Sequence, residues 1–198
     1  MHVPTHALLG WLLAETARLE RRDRALVFVA GVIPDLDGLT LLAGPEAFQT
    51  WHRILCHNAL SALSYTALAL VLARRKAVVG PLALLGFHLH LLCDLLGSAA
   101  PGGSNWGIPY LVPFVSEQLR FAGQWELASW QNVSVTIAAL LLSAHLGARR
   151  GRTVVEVFSR RADAAVVEVL RRRWPLYAAA DEDPPSSLAS GSSSKTTT

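Results

Sequence analysis

The sequence predicts an all-α protein: an antiparallel bundle of about five apolar helices, embedded in a membrane, with an amphipathic helix after it. Three observations carry that prediction. Of 198 residues, 52% are hydrophobic and only 17% charged, and mean hydropathy is +0.33. That is more apolar and less charged than an ordinary soluble domain. The apolar residues fall in runs of helical length that close in arginine clusters or Gly-Pro. Alternating strand patterns are scarce; Thr153 to Phe158 is the one short candidate, and it also suits a helix.

The first helix is expected from Val3 to Leu19, with Pro4 and Thr5 at its start and His6 in its first turn. It ends in Glu20-Arg21-Arg22-Asp23-Arg24. A second apolar run, Ala25 to Ala43, is interrupted at Pro34 and closes at Gly44-Pro45. Because Pro34 breaks helical continuity, Asp35-Leu36-Asp37 is expected to be locally extended, with both carboxylates on one side. A third helix runs from near His52 to Ala73 and ends in Arg74-Arg75-Lys76. The fourth, Ala77 to Gly97, has Asp94 as its only charged side chain. A loop rich in Gly, Pro and aromatics follows, and the fifth run, Trp130 to Gly147, ends in Arg149-Arg150-Gly151-Arg152. Residues 1–150 thus read as a helical core. Residues 151–178 read as a cytoplasmic amphipathic helix, spanning Glu156 to Trp174 and suited to anionic headgroups through Arg160, Arg161 and Arg171 to Arg173. The tail, 179–198, is Asp/Glu/Pro and then Ser/Thr, too poor in apolar residues to fold.

Run lengths of roughly 15–21 residues sit at the lower edge of what a bilayer core of about 30 Å requires. Charge placement says more. If all five runs cross, one side holds Arg18, Arg21, Arg22, Arg24, Arg74, Arg75, Lys76, Arg149, Arg150 and Arg152, and the other only Arg53 and Arg120. That bias makes the first side cytoplasmic. The same threading gathers His6, Asp35, Asp37, His52, His57, His90 and Asp94 at the extracytoplasmic end. Ionisable residues inside a membrane are functional candidates by default. The first apolar run lacks a basic n-region, so no cleavable signal peptide is expected. The net charge of +3 comes from short clusters at segment ends rather than a basic face, which sets nucleic acid aside. Cys56 and Cys93 lack disulfide spacing and read as small buried residues.

Two carboxylates and two imidazoles between Asp35 and His57 sit among Leu, Val, Ile and Ala. Burying ionised carboxylates there costs several kcal/mol unless a cation or donors compensate. Capping of a helix near Leu39 is the bland alternative for Asp35 and Asp37. His90 and Asp94 are four apart and share a helix face, so both can reach one ion. Alone that pair is weak, since His–Asp hydrogen bonds inside cores are common. Taken with His6, Asp35, Asp37, His52 and His57 it becomes a donor set suited to zinc, with manganese or iron as alternatives. His88, on another face, and His145, deep in the fifth run, read as structural. Glu15 is expected to pair with a basic neighbour, and Trp106, Tyr110, Trp125 and Trp130 suit an interfacial belt.

Thr5-His6, Pro34-Asp35-Leu36-Asp37, His52-Arg53-xxx-His57 and Gly86-xxx-His90-xxx-Asp94, in that order, resemble the bacterial membrane-bound metal-dependent hydrolase family. Trp106, the Pro113-Phe114-Val115-Ser116 turn and Phe158 to Ala165 resemble that family too, and the likeness covers about residues 1–174. It implies a helical, metal-dependent hydrolase of the inner membrane. A more distant likeness to zinc-dependent phospholipase C rests on His-xxx-Asp and scattered His and Asp. Cys56-His57-Asn58 stands where the family usually shows Thr-His-Ser, removing a hydroxyl that could orient His57.

The chemistry expected of these ligands is metal-activated water attacking a phosphoester of a lipid or lipid-linked substrate. His57, His90 and Asp94 are expected to hold one ion, and His6, Asp35 and His52 a second, with Asp94 able to bridge. Asp37 is placed as general base and Arg53 as a phosphate grip. Two rivals stand beside this: a non-enzymatic membrane protein with a structural or sensing metal site, and an ion transporter. The transporter needs its polar residues spread across the membrane depth, and these bunch at one level. The oligomeric state is not legible from the sequence.

Overall fold

Helices α1 (Val3–Ala14) and α2 (Arg21–Ala30) pack through a pair of glycines. A Cβ on Gly10 would lie 2.9 Å from the Phe28 carbonyl oxygen, and one on Gly31 would lie 3.0 Å from Gly10 Cα. Only hydrogen fits at either position, so the two backbones touch. In this computed structural model, residues 1–103 and 105–174 are described. Helix α1 stops at Ala14 rather than at Leu19: Glu15 caps it, its carboxylate turned to Arg24, Arg150 and Arg152 and its carbonyl accepting from Arg150 Nη1 at 2.7 Å.

After α2 the chain bends by 60° into a 3₁₀ helix, Ile33–Ala43. The extended conformation expected at Asp35-Leu36-Asp37 is therefore wrong. Pro34 sits in the first turn, where a missing N–H costs no hydrogen bond, so it starts a helix instead of ending one. A 3₁₀ helix repeats every three residues, so Asp35 and Asp37 leave it on different faces. The predicted third helix is split as well. A short α3 (Pro45–Trp51) is followed by a turn over 52–58, and α4 (Ala59–Leu72) begins only at Ala59, capped by Asn58 Oδ1 accepting from Ser61 N at 2.9 Å.

Helix α5 (Lys76–Gly97) and α6 (Trp130–Arg150) follow the expected bounds closely. Val154–Val157 is a 3₁₀ turn, not a strand, and α7 (Arg160–Arg173) begins four residues later than the Glu156 start expected. Among the described residues the structure is all-helical, with only isolated bridges at Ala99–Glu126 and Ile108–Leu119. The expectations for residues 175–178 and for the tail lie outside the described residues.

The core is small-residue packing of α1, α2, α4 and α5: Ala14, Val27, Ala30, Ala69, Val79 and Ala83, with Tyr65 bonded to the Leu26 carbonyl at 2.6 Å. The arginine-rich ends meet at one end of the bundle. Asp23 accepts from the backbone N–H groups of Arg74 (3.0 Å) and Arg75 (2.9 Å), fastening the α4–α5 turn to α2. Arg24 lies against both Glu156 (2.5 Å) and Glu15 (3.4 Å), and Arg150 and Arg152 reach Glu15 at 2.7 and 2.9 Å.

Helices α5 and α6 are long and apolar enough to cross a membrane, and α2 with the first 3₁₀ helix makes a third span if the bent pair is one. Helices α1 and α4, at 12 and 14 residues, are shorter than a full crossing. The five apolar segments are thus present, but two or three are span-length rather than five. Outward leucines such as Leu140, Leu141 and Leu142 on α6 are uncovered by protein, as a lipid-facing surface requires.

Candidate metal centre

At the end opposite the arginines, α5 carries His90 and Asp94 one turn apart on its buried face. Asp94 is the hub. Its Oδ1 accepts from the Met1 amino group, from Ser98 Oγ at 3.1 Å and lies 3.2 Å from His6 Nε2. Its Oδ2 lies 3.3 Å from His57 Nε2, 3.6 Å from His90 Nε2 and 3.8 Å from Arg53 Nη2. Asp35 Oδ1 is 3.6 Å from His90 Nε2. The His6 and His90 rings stack with centroids 3.7 Å apart. The glycine contact of α1 with α2 makes this possible, since Gly31 both touches α1 and offers its carbonyl to His90.

The partners fix which ring nitrogens are bare. His90 Nδ1 is 2.9 Å from the Gly31 carbonyl oxygen, which can only accept, so Nδ1 carries the proton. His57 Nδ1 is 2.9 Å from Asp37 Oδ2, and the same logic applies. In the neutral rings both Nε2 atoms then present lone pairs to carboxylate oxygens. Both are buried and without a hydrogen-bond partner, as is Asp35 Oδ2. Lone pairs facing anions repel, and a cation among them turns each repulsion into a bond. One donor atom each from His6, Asp35, His90 and Asp94 lies within 4.8 Å of the others, and His57 Nε2 adjoins that group. The residues present fit a divalent cation.

The structure therefore brings His6, Asp35, His57, His90, Asp94 and Arg53 together and leaves two predicted site residues out. Asp37 was expected as general base, and its geometry does not suit that task. Its Oδ1 accepts from His52 Nδ1 at 2.7 Å, and its Oδ2 from Arg53 N at 2.7 Å, Cys56 N at 3.3 Å and His57 Nδ1. A carboxylate with its oxygens so committed orients His57 and ties down the 52–58 turn. His52 was expected as a ligand. Its Nδ1 is spent on Asp37 and its ring stacks on Phe48 at 4.4 Å, so it lines the cavity wall and is not in the group of His6, Asp35, His90 and Asp94. The hydroxyl missing at Cys56 has no consequence for His57, because Asp37 supplies the orientation. Burial and the Asp37 charge push the Cys56 thiol up, keeping it neutral.

Arg53 adopts the left-handed region (φ 72°), held there by its N–H on Asp37. Its guanidinium lies 4.1 Å from the Trp106 ring centroid, and its Nε and Nη1 are buried without partners. It borders a cavity of about 360 Å³ walled by Asp35, Asp94, Phe48, Trp106 and Leu127. Sequence reasoning missed three positioning residues. Ser98 stands at the i+4 position from Asp94 and was findable by spacing. Gln124 was not: its amide donates to the Asp94 carbonyl (3.0 Å) and its Oε1 accepts from Trp106 N (2.7 Å). Nor was Asn132, whose amide donates to the Gly97 carbonyl at 2.8 Å. His88 is structural as expected, bonded to Tyr110 Oη at 2.8 Å.

Fold and composition together define an apolar helical membrane protein with a buried imidazole–carboxylate cluster at one end. Residues 1–170 match the family model described as YdjM inner membrane protein. The chain belongs to that family and is an inner membrane protein. No curated protein and no solved structure matches it.

Proposed function

We propose that this protein is a metal-dependent hydrolase of the inner membrane, acting on a phosphoester of a lipid or lipid-linked substrate. One observation supports it above the rest: the bare Nε2 atoms of His57 and His90 face the oxygens of Asp94 and Asp35, beside a buried guanidinium with unpartnered nitrogens. His6, Asp35, His57, His90 and Asp94 are the residues that would hold one or two ions. Nitrogen and carboxylate donors favour zinc, with manganese or iron as the next choices. Such an ion supplies Lewis acidity, making water nucleophilic near neutral pH and taking up charge on a phosphoryl oxygen.

The chain's own groups do the remaining work. Arg53, whose unpartnered Nε and Nη1 lie on different edges of the guanidinium, offers one of them to a phosphate oxygen, and Trp106 holds the plane of the group. Asp35, whose Oδ2 is free at the cavity wall, takes the proton of the attacking water. Asp37 keeps His57 in the tautomer that leaves Nε2 bare. The arginine-rich end faces the cytoplasm in a multi-pass arrangement, which puts the site near the extracytoplasmic face. A purely structural metal site is closed on all sides; the cavity beside Asp35 and Asp94 favours chemistry over stapling. Elemental analysis of purified wild type, His90→Ala and Asp94→Ala, with headgroup release from phospholipid assayed on the same samples, tests the reading. Metal in the wild type and its loss in both variants, together with activity, is expected. Equal metal content in all three removes the site, and metal without hydrolysis leaves a structural or sensing centre.

A further inference from the structure

The first 3₁₀ helix, Ile33–Ala43, has three distinct faces because residues three apart eclipse one another. Pro34 and Asp37 point into the protein and are buried. Asp35 and Gly38 border the cavity. The third face is Leu36, Leu39 and Leu42, with 49%, 60% and 87% of their surfaces uncovered, rising steadily away from α2. No charged side chain lies on that face, since the only charges in the segment are Asp35 and Asp37. At about 2 Å rise per residue the segment extends roughly 20 Å, too short to cross a bilayer by itself. It continues α2 as one bent pair. Backbone bonds close it at both ends, Asp35 N to the Val32 carbonyl and Gly44 N to the Leu41 carbonyl, both at 3.0 Å, which lowers the cost of lying in hydrocarbon.

We infer that Ile33–Ala43 is a re-entrant element whose leucine face is immersed in the leaflet on the site's side, so that the Asp35–Arg53 cavity is entered sideways from lipid. The occupant of the leucine face is the acyl region of the bilayer. Continuity with α2 argues for it, as does the absence of charge on three successive turns. The cavity rim agrees: Val3 and Leu127 line it and are themselves uncovered. The ligand class follows as an amphiphile that presents a phosphate headgroup to Arg53 while its chains remain in the leaflet. The phosphate rests on the reading given under Proposed function; the immersion of the segment does not.

Nitroxide collision rates in lipid nanodiscs test the inference on the full chain. In a Cys56→Ala, Cys93→Ala background, single labels are placed through Leu36→Cys, Leu39→Cys, Leu42→Cys, Val3→Cys and Leu127→Cys. Leu141→Cys on α6 serves as the lipid reference and Ala122→Cys in the loop as the water reference, both at uncovered positions. All replaced side chains but the two native cysteines are uncovered, and monodisperse elution checks the fold. Expected are oxygen collision rates within twofold of Leu141→Cys at all five positions, and rates with a water-soluble nickel chelate at least fivefold below Ala122→Cys. Chelate rates at the three leucines equal to the loop reference overturn the immersion. Protected leucines with a fully chelate-accessible Val3 and Leu127 overturn the sideways entrance. None of these rates depends on bound metal or turnover, so a failed hydrolysis assay and a failed collision assay remain separable.

Discussion

Replacing Asp37 by Asn separates orientation from proton transfer. Asp37 accepts from His52, Arg53 N, Cys56 N and His57. Alanine there would orphan buried donors at about 1–3 kcal/mol each and collapse the turn, so the isosteric amide is the informative change. Asn retains an oxygen for the His57 Nδ1–H, and the hydrogen bond changes from charge-assisted, worth about 1.5–3 kcal/mol, to neutral, worth about 0.5–1.5. The difference, roughly 1–2 kcal/mol, is the loss of basicity passed through the ring to Nε2. It corresponds to about 5–30-fold in affinity, in line with the 10–100-fold typical of groups that orient a metal ligand. Calorimetric zinc titration of the detergent-solubilised chain, with kcat/KM measured at saturating metal, reads both quantities. A drop in affinity of about 5–30-fold, with activity mostly recovered once the site is saturated, is expected. Unchanged affinity with a roughly thousandfold fall in kcat would refute the reasoning and restore Asp37 as the base.

Asp35→Asn, assayed at saturating zinc because Asp35 would also be a ligand, should lose most of kcat while phosphate binding persists, read by product inhibition with inorganic phosphate. Arg53→Gln should raise KM for a lipid phosphoester by about 10–100-fold, an order of 1.5–3 kcal/mol for a charged hydrogen-bonding pair, and leave metal content unchanged. Glu15 lies below the ordinary carboxylate range: burial pushes it up, but hydrogen bonds from Arg152 and Arg150 outweigh that. A carboxylate lowered in the folded state stabilises fully above its unfolded value, and that contribution fades as the pH falls toward the folded one. Glu15→Gln should therefore lower the thermal midpoint at pH 7 and flatten its further decline on acidification below about pH 4. A reporter fused after Thr198 should give a cytoplasmic signal; a periplasmic one would invert the arginine-based topology.

Much of this fold was readable because helical spacing is local. His90 and Asp94 one turn apart, the bounds of α5 and α6, and arginines at alternate ends follow from neighbours in the chain. Asp35 and Asp37 were not separable by sequence: two identical residues two positions apart share a side in an extended chain and diverge in a 3₁₀ helix. His52 and His57 looked equivalent for a similar reason. Their roles diverge in a turn closed by Asp37 and by the left-handed backbone of Arg53, and neither has a local periodicity. Glu15, at the early end of α1, is held by Arg150 and Arg152, more than a hundred positions downstream. Partners so distant leave no trace in the residues around Glu15.

The pairing of Arg24 with Glu156 bears on how the chain is made. Arg24 belongs to α2, yet the carboxylate that it grips through both Nε and Nη2 lies beyond α6 and is synthesised later. Until then a buried guanidinium has only Glu15 and the Leu19 carbonyl for company. Insertion of the apolar segments can proceed first, but closure of the arginine-rich end waits until Glu156 has been made. A nascent chain halted before residue 156 would leave the Arg24 guanidinium short of its two-oxygen partner at the arginine-rich end of the bundle.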